Sequence, residues 1–331
     1  MLGQWALRHP TVLVLPCLVV VLASILSPWS SSARGLSSLT KIKGFSTLLK
    51  PSVSPPSIMP KAPVYFFSHG GPDVQYNKTH PVYPVLQSIG KEITQKVKPK
   101  AVVVFSAHWQ AEPDEIQLNN AEETDLIYDF YGFPPEYYRA TFPSKGSPQL
   151  ASHILSLLSS AGIKARGVKR GLDHGVFSGF NVAFDPTSNP LRCPLVQVSL
   201  FNSEDANAHY ALGRAVSSLR DDNVVIIGTG MTVHNLRDMR FLMRNSEPLP
   251  YAVSFDEALK EAVEADPAVR QERMAAVAKR PDARHAHPWM DHLMPVYVAA
   301  GAAGDDPGQQ IWTMHEACFA WGQYRFGQVP A

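Results

Sequence analysis

Three histidines stand directly behind runs of Val, Ile and Phe. VYFFS (64–68) leads into His69-Gly70-Gly71-Pro72, AVVVFS (101–106) into Ala107-His108-Trp109, and VVIIG (224–228) into a short polar stretch ending in His234. Continuous apolar runs of this kind suit strands covered on both faces. In open α/β sheets, the carboxyl ends of such strands gather the groups that bind ligands. Three imidazoles meeting there form a borderline donor set for Zn, Fe, Cu or Ni and leave coordination positions open, as a catalytic metal requires. Gly70 and Gly71 allow the chain to turn tightly beside such a site. The plainer alternative is that each of the three is an ordinary loop or core histidine.

A fourth histidine, His174, lies in LDHGVF (172–177), read as a loop between a helix and a strand. Asp173 beside it would orient the ring or raise its basicity, which suits a general base; a turn with no chemistry fits the same residues. His285, His287 and His292 fall in HAHPWMDH, read as a capped helix start with solvated histidines, where Pro288 keeps His287 in a loop. His80, His153, His209 and His315 have no comparable setting and read as structural. Other catalytic patterns are missing. Gly228-Thr229-Gly230 lacks the third glycine of a dinucleotide fingerprint and has no P-loop lysine. The sequence has no GxSxG elbow, and no cysteine stands beside a histidine.

The elements that must position these residues alternate. Strands are expected at 64–68, 101–106, 195–200 and 224–228, and helices at 84–97, 147–161, 205–219 and 254–265, with a last helix after Asp291 and a closing segment from 311 to 327. Ser147-Pro148 and Ser203–Asp205 supply N-cap and first-turn residues, and Gly162 sits where a C-cap would. The alternation predicts an α/β fold, a central mixed or mainly parallel sheet flanked by helices, in a single catalytic domain over 62–331.

The 331 residues are 45% hydrophobic and 18% charged, enough to bury a sizeable core and unlike a disordered chain. A formal charge of +1 argues against a nucleic-acid reader relying on positive charge. Cys17, Cys193 and Cys318 are too few and too scattered for a disulfide framework or a zinc ribbon. Residues 1–61 carry six basic residues and no acid, leaving 24 basic residues to face all 29 acidic ones in the body. Within that segment, 11–26 is nearly apolar. It is shorter than the roughly 20 residues of a membrane span and closer to a secretory h-region. Residues 1–61 therefore read as a targeting or anchor segment with a Ser/Pro-rich linker, or as a dispensable extension. Membrane contact is expected only through 11–26. An unused N-terminus would leave a soluble cytoplasmic body, and a used one implies secretory or organellar targeting.

Several motifs occur in a fixed order: SHGGP (68–72), SAHW (106–109), LDHG (172–175), GTGMTVHNLR (228–237), HPWMDHLMPVYVAAGAAG (287–304) and YRFG (324–327). Together they resemble the class III extradiol ring-cleavage dioxygenases, in particular the 4,5-DOPA dioxygenase-like branch, over about 62–327. The resemblance implies a non-haem Fe(II) enzyme that cleaves a catechol ring with O2, with Zn(II) able to occupy the same site. It implies His69, His108 and His234 as metal ligands, His174 as acid/base and possible fourth ligand, and His287 as a residue lining the substrate pocket. The partners implied are a small-molecule catechol and O2. Three positions depart from the pattern. Gly71 stands where a serine is usual, Asp73 where a methionine is common, and Met231 in place of a polar residue, so the substrate-facing rim is altered. Two other functions use the same residues: a zinc-dependent hydrolase in which the histidines activate water, and a non-catalytic metal-binding interaction protein on the same fold.

Overall fold

Alternate residues of the apolar runs face opposite sides of one sheet, and both sides are covered. In the computed structural model of the chain, residues 61–244 and 246–330 are described. The apolar run 11–26 and the linker up to residue 60 lie outside them. The described residues fall within one compact unit.

Eight strands form a mixed sheet in the order Gly308–Trp312, Gln323–Phe326, Val64–Ser68, Val224–Gly230, Ala101–Gln110, Leu195–Leu200, Glu115–Asn119, Lys164–Val168. The four central strands are mutually parallel. Antiparallel pairing joins Val64–Ser68 to Gln323–Phe326 and Leu195–Leu200 to Glu115–Asn119. Phe66, Val103, Phe105 and Ile226 point into a core shared with helices Ala206–Ala215, Pro250–Val263 and Met294–Ala303. Tyr65, Phe67, Val102, Val104, Val225 and Ile227 point to the other face, against helices Val82–Lys91 and His174–Ala183. Each such aliphatic or Phe side chain contributes about 1.5–3 kcal/mol on burial, which holds the central strands firmly in place.

Local signals set several boundaries. The Ser147 hydroxyl accepts the Leu150 N–H at 3.2 Å and starts the Pro148–Ser160 helix. The Asp205 carboxylate accepts the N–H groups of Asn207 and Ala208 and starts Ala206–Ala215. The helix expected over 84–97 begins as Val82–Lys91 and finishes in a π-helical stretch, Glu92–Val97. The strand expected over 101–106 continues to Gln110, carrying His108 within it. His174 does not lie in a loop between helix and strand. A two-residue strand, Leu172–Asp173, passes directly into a helix whose first residue is His174.

Register does most of the positioning. Ser68 pairs with Gly230 and Ser106 with Thr229, so the paired stretches of these three strands end level with one another, and Ala101–Gln110 runs on past that level carrying His108. The His69 N–H donates to the Gly230 carbonyl at 3.0 Å. Immediately after, Gly70 takes φ +66°, a conformation side chains resist, and the Trp321 ring packs where a Cβ would stand.

Candidate active site

At this level edge of the sheet, His69, His108 and His292 each offer a ring nitrogen, and the three nitrogens lie within 4.8 Å of one another. One directly follows a strand and one lies among the last residues of another. The third arrives from the segment before the Met294–Ala303 helix, which reaches the sheet because Gly230 has no side chain. A Cβ at Gly230 would collide with the His292 carbonyl, which instead accepts the Met231 N–H at 3.0 Å.

Hydrogen bonding fixes what two of these rings present. His69 Nδ1 lies 2.5 Å from the Gly70 carbonyl, and His108 Nδ1 lies 3.1 Å from Asp129 Oδ2. Carbonyl and carboxylate oxygens only accept, so both Nδ1 atoms carry the proton and both Nε2 atoms present lone pairs. Those Nε2 atoms are buried and have no hydrogen-bond partner, and the same is true of His292 Nδ1. Asp291 Oδ2 is 3.1 Å from His292 Nδ1 but is not aligned for a hydrogen bond. Buried polar atoms are normally satisfied. Three converging imidazoles, each offering a ring nitrogen within 4.8 Å of the other two and each carrying an unsatisfied buried nitrogen, are what a borderline divalent cation needs, and the donor set fits one.

The electrostatics agree. Burial and the neighbouring histidines hold His69 and His292 well below the ordinary histidine range, so both are neutral at pH 7. At His108 burial opposes charge, but the Asp129 hydrogen bond and the nearby carboxylates outweigh it and the pKa is raised. The proton so favoured is the one that a bound cation would replace.

Asp129 ties a second ring to the first. Its Oδ1 accepts from His174 Nδ1 at 2.8 Å and from the His174 backbone N–H at 3.0 Å, while Oδ2 holds His108. Burial alone would push the Asp129 carboxyl up, yet the two imidazoles hold it far below the usual carboxylate range. His174 sits 4.0 Å from His108, ring to ring, and its pKa is lowered, chiefly by burial. Asp173, the neighbour expected to orient the ring, points elsewhere. It accepts from Ser106 Oγ at 2.7 Å, Gln197 Nε2 at 2.5 Å and Arg170 Nη1 at 2.9 Å.

His234 lines the same cavity but stacks on His292, and it is likewise held well below the ordinary range, first by burial. His287 is not in the cavity lining. It is fully buried, its Nε2 meets the Thr232 carbonyl at 2.9 Å, and its ring packs 5.3 Å from Phe255. The structure thus places His287, expected in the substrate pocket, in the packing behind this cavity lining. His292 is buried as well, not solvated. His80, read as structural, lines the cavity and contacts Glu316 at 3.4 Å.

The cavity above these groups has a volume of about 770 Å³ and is walled by Phe130, Tyr131, Phe133, Trp289, Phe319 and Trp321. An aromatic-walled pocket of this size with a few convergent polar groups suits a small organic ligand. Among the described residues, no helix is long and apolar enough to cross a membrane.

Fold and site together define an α/β protein with a polyhistidine, metal-competent pocket at the carboxyl edge of a mixed sheet. The chain belongs to the family described as the catalytic LigB subunit of aromatic ring-opening dioxygenase, matched over residues 58–327. It is 34% identical over 274 residues to a 4,5-DOPA dioxygenase extradiol of Beta vulgaris, covering 79% of this chain and 95% of that one. A 4,5-DOPA dioxygenase extradiol-like protein of Schizosaccharomyces pombe is 32% identical over 242 residues, covering 72% and 80%. The crystal structure of an uncharacterized Escherichia coli K12 protein shares the fold, with a TM-score of 0.64 at 24% identity, covering 81% of this chain and all of that one.

Proposed function

We propose that the chain is an extradiol dioxygenase that opens the ring of a catechol-type diol with O2, using a metal held by His69, His108 and His292. The observation that carries this reading is the meeting of ring nitrogens from three buried or half-buried imidazoles, within 4.8 Å of one another, beneath an aromatic-walled cavity. Fe(II) bound there would supply Lewis acidity toward the diol and electron transfer to O2, whereas Zn(II), which fits the same donors, has no accessible redox step.

The chain's own residues handle protons and orientation. With Nδ1 held by Asp129, His174 presents an Nε2 lone pair and takes a hydroxyl proton from the diol. The charge it gains faces the Asp129 carboxylate, which also fixes the tautomer. Once protonated, the same ring returns the proton later in the reaction. His234, stacked on His292, adds a neutral imidazole to the lining beside the substrate. The aromatic walls hold the ring of the diol and exclude water from it.

Full-length protein, stripped of metal and reloaded anaerobically with Fe(II) or Zn(II), tests the proposal by O2 uptake and visible absorbance against a panel of catechols that includes DOPA. Fe(II)-dependent uptake with a new yellow chromophore is expected, with none for the Zn(II) form. Ester or amide hydrolysis without O2 would point to the zinc hydrolase instead. Tight metal binding with neither reaction would point to a binding role.

A further inference from the structure

The cavity lining contains four carboxylates, Asp73, Asp129, Asp291 and Glu316, and no lysine or arginine. Three of them lie against imidazoles: Asp129 against His108 and His174, Glu316 against His80, and Asp291 against His292. Asp73 is different. Its carboxylate is exposed and has no hydrogen-bond or ion-pair partner among the described residues.

The room that carboxylate occupies comes from Gly71. A Cβ built on Gly71 would stand 2.5 Å from Asp73 Oδ1. Backbone geometry does not demand glycine there, since Gly71 has φ −78° and ψ 177°, which any residue adopts. What the missing side chain provides is space. The two departures at Gly71 and Asp73 are therefore one feature: the first clears the position into which the second places a negative charge.

We propose that Asp73, given room by Gly71, makes this cavity select diols carrying a protonated amine on the side chain over diols carrying a carboxylate. The proposal rests on the diol-cleaving reading above and names its substrate class. The aromatic walls add to the same preference, because ring faces attract ammonium groups and not carboxylates. Tyr131 is 92% exposed at this rim and offers such a face, while one face of Trp289 is covered by the Arg237 guanidinium at 4.6 Å. An exposed charge acts through water and modestly, so the expected selectivity from Asp73 is roughly fivefold, not orders of magnitude.

The test is equilibrium binding to the full-length protein loaded with Zn(II), which keeps turnover from consuming the probes. The probes are dopamine, 3,4-dihydroxyphenylacetate and the uncharged 4-methylcatechol. Each charged probe is read relative to the uncharged one. The wild-type protein is expected to favour dopamine over the carboxylate, and Asp73→Asn to shrink that ratio roughly fivefold. Gly71→Ser is expected to shrink it in the same direction by displacing the carboxylate, with Asp73 itself intact. A ratio near one in the wild type, or one unmoved by both substitutions while the diols still bind, would overturn the proposal alone. Failure of all three diols to bind would overturn it together with the diol reading on which it stands.

Discussion

The rings of His234 and His292 lie face to face, with centroids 3.7 Å apart and planes within 10° of parallel. An imidazole lone pair lies in the plane of its ring, and two nearly parallel planes so displaced do not direct their lone pairs at one point. In this arrangement His292 is the better placed of the two to join His69 and His108 around a single ion. The nitrogen that lies within reach of the other two belongs to His292.

Substituting the two histidines separately distinguishes them. His292→Ala is expected to weaken metal binding by more than about 100-fold, beyond the 10–100-fold typical of residues that merely support a ligand. His234→Ala is expected to keep metal affinity within roughly tenfold and to lose turnover. Equilibrium dialysis followed by metal analysis measures both. Equal metal loss in the two variants would contradict the assignment.

Asp129→Asn places an amide where two Nδ1–H groups need an acceptor. One ring must rotate or change tautomer. Metal affinity is expected to fall about 10–100-fold, with a larger loss of turnover than of substrate affinity. The variant also reports on stability. Because the carboxyl is held below its usual range, its contribution is complete above about pH 4 and fades as pH falls toward the lower folded value. Acid unfolding of Asp129→Asn should lack that component, as followed by circular dichroism against pH.

At Gly230 a single methyl group is expected to matter. Gly230→Ala drives a Cβ into the His292 carbonyl, which is backbone and cannot rotate aside. A loss of about 1–3 kcal/mol in urea unfolding is expected, together with impaired metal binding as His292 is pushed away. Normal stability and normal metal content in this variant would show that the approach of the His292 segment is looser than described.

His287 makes stability depend on pH from behind the site. Full burial lowers its pKa to about 4, against about 6.5 in an unfolded chain. Between these values the unfolded state binds the proton and the folded state does not, so stability is lost as pH falls from 6.5 toward 4 and is level above that window. The contribution is about 3 kcal/mol. Urea midpoints of wild type and His287→Gln at pH 7.5 and pH 5 read about 2 kcal/mol of it, and the variant should show the smaller drop.

Much of this arrangement was legible in the sequence because it is carried by strands. Runs such as VYFFS and AVVVFS have one physical reading, and the residues behind them inherit a position, which is how His69 and His108 could be placed. His292 follows no apolar run. It reaches the site through a close backbone approach at Gly230, and the spacing of residues does not encode that contact; the GTG triplet was visible, but its purpose as clearance was not. Asp129 sits just beyond a two-residue strand, Leu126–Ile127, too short to leave a pattern. His174 was found and its partner mistaken, because sequence adjacency favoured Asp173 while the fold turned that carboxylate toward Ser106, Arg170 and Gln197. His287 and His292 looked solvated beside Pro288 and Asp291, although both are buried. The edge strand Gly308–Trp312 and its neighbour Gln323–Phe326 carry polar residues and give a weaker signal than the central four.

The most direct test of the central claim follows the oxygen atoms. Fe(II)-loaded protein is given a catechol under ¹⁸O2, and the product is analysed by mass spectrometry immediately after mixing. Ring opening with both labelled atoms in the product is the predicted result, and it should vanish in His69→Ala, His108→Ala and His292→Ala. An intact ring, or a product whose added oxygen comes only from water, would contradict it.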